Sequence, residues 1–192
     1  MRAFIAILLP APIRQSLAEY QDALQQAVGT TVRWTPADQL HMTLRFLGEC
    51  EAERVTPLRA LVRTAASGTA PMDVAWQSTV GAFPQQRLPR VLWTGLAAGA
   101  EAVIALARRA EDGVMALGFQ PEPRVFHPHV TLGRVVQPAQ ARAVGERLTA
   151  CRARLQAPPC RLDTIALVES QLTPQGAVHT VLERAILRKG VV

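Results

Sequence analysis

The chain has 192 residues, of which 49% are apolar, and a formal net charge of +6. That is enough for one sizeable core, and no apolar run approaches the ~20 residues that cross a bilayer as a helix. Lys189 is the sole lysine, so the basic balance is almost all arginine, whose planar fork matches phosphate and points mildly to a polyanionic partner.

In chain order, Arg2 to Leu9 reads as a strand rather than a leader segment, because Pro10 and Pro12 close it before a helix pattern. Ala11 to Val28 reads as a helix with Ile13, Leu17, Tyr20, Leu24 and Val28 at helical spacing, ended by Gly29. Thr31 to Trp34 is a short strand, and Pro36 to Leu40 a turn. His41 to Gly48 alternates as a half-buried strand, predicting His41, Thr43 and Arg45 on one face and Met42, Leu44 and Phe46 on the apolar other.

Glu51 to Ala66 is a second helix. Met72 to Phe83 and Arg90 to Leu96 are strands, Glu101 to Leu117 a third helix, and Pro121 to Pro128 an irregular lead. His129 to Arg134 repeats the earlier strand: both stretches read His-x-Thr-Leu. Ala139 to Ala150 is a fourth helix. Arg161 to Ser170 and Ala177 to Leu187 are the last strands, with a turn from Thr173 to Gly176. Paired strands beside helices predict an α+β fold with antiparallel sheets, and the internal echo predicts two similar lobes in a single domain spanning residues 1–192.

The duplicated motif carries the chemistry. Each copy sets an imidazole beside a hydroxyl on a rigid face. Imidazole titrates near ~6.5, so one ring can serve as base while the other, protonated, serves as acid. Hydroxyls can donate to phosphoryl oxygens. That equipment suits metal-free cleavage of a phosphodiester. Arg134 has the wrong parity to share a face with His129 on a regular strand, but Gly133 permits a bulge that would bring it round. His127 shares parity with His129, yet only His129 has a threonine two residues on. The three cysteines, Cys50, Cys151 and Cys160, are odd in number and lack metal-type spacing. They predict a reduced, cytoplasmic protein without metal or cofactor.

The residues quoted resemble the two-histidine phosphoesterases, in the branch of RNA 2′,3′-cyclic phosphodiesterases also called 2′-5′ RNA ligases (LigT/ThpR-like). The resemblance runs through Met1–Ala6, Val32-Arg33-Trp34 with the first His-x-Thr block, Gly81–Pro84, Arg90–Trp93, Phe126–Arg134 and Glu169–Leu172 with Gly176. It implies a bilobal fold with a pseudo-twofold axis and a central cleft. It also implies opening of an RNA-terminal 2′,3′-cyclic phosphate to a 2′-phosphate. His41 would be the proton donor to the 3′-oxygen and His129 the base for water. Thr43, Thr131 and Arg134 would bind substrate. RNA ends are the implied partner, and a monomer with no membrane association is expected. The alternatives are action on 2′-5′-linked oligonucleotides or a small cyclic phosphate, reverse ligation, or an RNA-binding module with incidental hydrolysis.

Overall fold

In a computed structural model the structure describes residues 1–173 and 176–189. Strand β1 (Arg2–Leu8) lies between β3 (His41–Glu49) and β9 (Thr164–Thr173), with β10 (Gly176–Ile186) at the far edge. These four strands form one antiparallel sheet. The second sheet runs β2 (Val32–Trp34), β7 (His129–Val135), β6 (Val91–Ala98), β4 (Met72–Trp76) and β8 (Cys160–Leu162). Strand β5 (Gly81–Phe83) pairs with β6 beside that path. Every described pairing is antiparallel, as the alternating patterns predict.

Helix α1 (Ala11–Val28) buries the five residues of its apolar stripe, and Gly29 ends it with φ of +70°. It packs with α4 (Ala141–Ala150) on the second lobe. Helix α2 (Val55–Ser67) covers β9 and β10, and α3 (Ala100–Ala116) touches α2, β3 and β4. One apolar core runs through both lobes, from Ile5 and Ile7 of β1 to Leu92, Val130 and Leu132 of the second sheet.

Two expected strands are each divided. Met72 to Phe83 separates into β4 and β5: Gln77 still donates its N–H to the β6 carbonyl of Gly95 at 2.9 Å, and the chain leaves β6 after it, where the Ser78 carbonyl accepts from Leu155 at 2.8 Å. Arg161 to Ser170 separates at Asp163, so that β8 completes the second sheet and β9 enters the first. The expected turn after Thr173 includes Pro174 and Gln175, which lie outside the described residues.

The face assignment of β3 also changes beyond Thr43. The β1–β3 register skips Leu44, pairing Ala6 with Thr43 and Ile5 with Arg45. That bulge turns Arg45 to the side of Met42 and Ile5, both fully buried, and turns Phe46 to the opposite face, 50% exposed. Arg45 then reaches α3, where its guanidinium forms an ion pair with Glu111 and donates to the carbonyls of Phe46 and Gln120. Its side chain is only 10% exposed. Charged hydrogen bonds in such surroundings are each worth roughly 1.5–3 kcal/mol. Arg45→Met is expected to lower the unfolding free energy by about 2 kcal/mol in urea titrations; unchanged stability would show that the tie to α3 carries no net weight.

Candidate active site

The two motif histidines are held in the same way. The Nδ1–H of His41 is donated to the carbonyl of Gln39 at 2.7 Å, and the Nδ1–H of His129 to the carbonyl of His127 at 2.7 Å. A carbonyl can only accept, so each neutral ring carries its proton on Nδ1 and presents a bare Nε2. The Nε2 of His41 lies 3.0 Å from the hydroxyl of Thr43, which donates to it. Strands β3 and β7 touch, and a charge on His129 disfavours protonation of His41.

Each ring sits in an aromatic nest containing a further histidine. His41 stacks on Phe4 at 4.7 Å between centroids and meets His179 edge-on at 5.2 Å. His129 meets Phe83 edge-on at 5.1 Å and Trp93 at 6.0 Å, and the His127 ring leans on Trp93 at 4.8 Å. The four histidines of the chain thus fall into two pairs, His41 with His179 and His127 with His129, one beside each motif strand. A separate depression of about 520 Å³, lined by Arg45, Phe46, Arg54, Phe119 and Glu122 among others, contains none of them.

The bulge anticipated at Gly133 is present. The β6–β7 register skips Leu132, pairing Leu92 with Gly133 and Trp93 with Thr131. Leu132 and Gly133 both turn to the buried side, and Arg134 emerges exposed on the face of His129 and Thr131. Its positive charge acts on His129. The first lobe does the same one residue after its own motif threonine. The cleft-facing set is therefore His41, Thr43 and Phe46 on β3, and His129, Thr131 and Arg134 on β7.

The family profile described as "LigT like Phosphoesterase" matches residues 7–93 and 96–179. The chain belongs to the LigT-like phosphoesterase family. A Thermus thermophilus protein named RNA 2′,3′-cyclic phosphodiesterase is 35% identical, over 98% of this chain and 91% of the relative. A protein of the same name from Methanothermobacter thermautotrophicus is 30% identical, over 95% and 97% respectively. The crystal structure of a protein from Thermus thermophilus superposes with a TM-score of 0.81 at 32% identity, covering 99% of both chains. E. coli LigT complexed with 3′-AMP gives 0.72 at 27% identity, covering 97% of both.

In this LigT-like phosphoesterase the second bulge has a support that the sequence reading missed. Gln21 of α1 is 5% exposed, and its Nε2 donates to the carbonyls of Leu132 at 2.7 Å and Thr35 at 2.8 Å. The Leu132 carbonyl also accepts the Thr35 N–H at 2.9 Å, one step beyond the Trp34–Gly133 pair of β2 and β7. The signal was a glutamine set four positions after Leu17, inside the buried arc of an apolar stripe. His179, which belongs to neither His-x-Thr motif, is packed against His41 itself. Phe4, Phe83 and Trp93 carried no site signal because aromatic residues on strands are ordinary core material.

Burial pulls the pKa of His41 down to about 4, against the pull of the Gln39 carbonyl, with the His179 and His129 charges lowering it further. His129 is lowered for the same first reason, partly offset by the His127 carbonyl. Unfolded His41 takes a proton near 6.5, whereas the folded site resists until about 4. Between those values the unfolded chain binds more protons, so stability falls as pH falls through that window. His41→Asn is expected to flatten part of that slope, and nitrogen-detected NMR at neutral pH is expected to show both motif histidines as Nδ1–H tautomers. An Nε2–H tautomer at either ring would break the proposed presentation.

Proposed function

We propose that this chain hydrolyses 2′,3′-cyclic phosphodiester ends of RNA to 2′-phosphomonoesters by acid–base catalysis between His41 and His129. The observation that carries the reading is the pair of Nε2 atoms, each left bare by an Nδ1–H bond to a carbonyl, on two touching strands of one cleft. The relatives named RNA 2′,3′-cyclic phosphodiesterase support the same substrate class.

His129 acts as base. Its Nε2 takes a proton from water as the water oxygen attacks phosphorus. The bond from phosphorus to the 3′-oxygen breaks, and protonated His41 delivers its Nε2 proton to that oxygen. A 2′-phosphate and a 3′-hydroxyl result. The low proton affinity of His41 belongs to the free cleft. An anionic phosphate beside the ring favours the imidazolium and raises it. Protonation also reverses the bond to Thr43: Nε2–H becomes the donor and the hydroxyl proton is freed for a phosphoryl oxygen. Thr131 donates from the opposite lobe, and Arg134 offers charge on the same face. Both motifs lie in one chain, so a monomer holds the complete site, and the two lobes act as one catalytic unit. Its three cysteines are free thiols, which fits the reducing cytoplasm. Among the described residues, no helix is long and apolar enough to cross a membrane.

His41→Ala and His129→Ala are each expected to lower turnover of a cyclic-ended oligonucleotide by roughly 10²–10⁴, with His127→Ala much milder. A substrate with a far better leaving group should rescue His41→Ala and not His129→Ala; rescue of the other variant would exchange the two roles. Since imidazoles perform both proton transfers, turnover is expected to survive EDTA. Loss on chelation, restored by one divalent ion, would overturn the mechanism.

A further inference from the structure

Arg33 and Arg134 stand directly opposite one another in the β2–β7 ladder. The flanking pairs, Val32 with Val135 and Trp34 with Gly133, put Val32 and Gly133 into the buried side. The two guanidiniums therefore leave the sheet on the other side, the face of His129 and Thr131, and both residues are exposed. Directly opposed positions in an antiparallel pair hold their Cβ atoms about 5 Å apart, and like charges there destabilise the ladder. Among the described residues neither guanidinium has a carboxylate partner or donates a hydrogen bond. Two cationic side chains thus leave the same face from paired positions next to the cleft, where a bound anion would relieve their repulsion.

We propose that Arg33 and Arg134 form a two-guanidinium clamp for the phosphodiester on the 5′ side of the terminal nucleoside, one linkage upstream of the cyclic end. This rests on the cyclic-end reading of the histidines. On β7 the clamp lies two ladder steps beyond Thr131, about 7 Å along the strand. A phosphodiester has two non-bridging oxygens, and each guanidinium offers a planar pair of donors to them. A nucleoside 2′,3′-cyclic phosphate has no such linkage, whereas every RNA chain end does. The clamp therefore selects polymer ends over free cyclic mononucleotides.

The decisive measurement is binding, separate from turnover. Calorimetric titration compares a dinucleotide ending in a 2′-phosphate with a nucleoside 2′-phosphate, on the parent chain and on Arg33→Gln. The parent is expected to favour the dinucleotide by about 10- to 100-fold, as bonds to a charged partner would give. That preference should shrink as salt rises. Arg33→Gln is expected to bring it within about threefold while remaining folded. Arg33→Glu, which gives Arg134 a carboxylate across the strand, should abolish the preference and raise the melting temperature. A parent without preference, or Arg33→Gln with the preference intact, overturns the clamp. Turnover of the cyclic forms by the parent tests the activity independently: its absence beside an intact binding preference refutes the hydrolysis and leaves the clamp standing.

Discussion

The site depends on one hydrogen bond made twice. In each lobe an imidazole Nδ1–H reaches back to the carbonyl two residues upstream, at Gln39 in one and His127 in the other. The bond fixes the tautomer and the tilt of the ring together, and it aims Nε2 at the cleft. It makes use of the extended backbone before each strand, because a carbonyl two residues away lies on the same side as the ring. The aromatic nests of Phe4 and His179, and of Phe83 and Trp93, then exclude water from the ring faces and leave the reactive edge open. Burial of this kind lowers proton affinity in the free state. Under the proposed hydrolysis it would also let an incoming phosphate, rather than bulk solvent, decide which ring is charged.

Two bulges give the cleft its third residue on each side. An ideal strand would place alternate residues toward the cleft, so the position after Thr-Leu would face it. The bulge inserts one residue and delays that position by one, at Phe46 in β3 and Arg134 in β7. The delayed residue is not free to relax, since the Leu132 carbonyl is held by both Gln21 and Thr35. A buried amide on a helix thus shapes a strand in the other layer.

Much of this was legible in the sequence. Alternation placed His41, Thr43, His129 and Thr131 on their faces, and Gly133 flagged one bulge. Arg45 and Phe46 were misplaced because a bulge is a mismatch between two partner strands. The pattern of β3 alone does not contain β1, and the equivalent of Gly133 there is an arginine. The one trace was Leu47, an apolar residue that falls on the buried side only if the register slips. The division of Arg161 to Ser170 between two sheets left no mark either, since both sides of Asp163 have strand-like composition and only tertiary packing separates them. Gln21 was visible as an oddity in an apolar stripe, but its partners lie in distant segments.

A cleft made from two copies of one motif has a problem of handedness. If the copies were identical, a ligand could enter in either of two poses related by half a turn, and each histidine would serve as acid in one pose and base in the other. The delayed residue removes that ambiguity. One lobe presents an aromatic ring at that position, and the other a guanidinium. Turning the ligand over would set its phosphate against Phe46 and its apolar part against Arg134, so the two poses differ in energy although both histidines present an Nε2. In the proposed hydrolysis, duplication would supply the matched pair of proton-transfer groups, and the unlike residue the direction in which they are used.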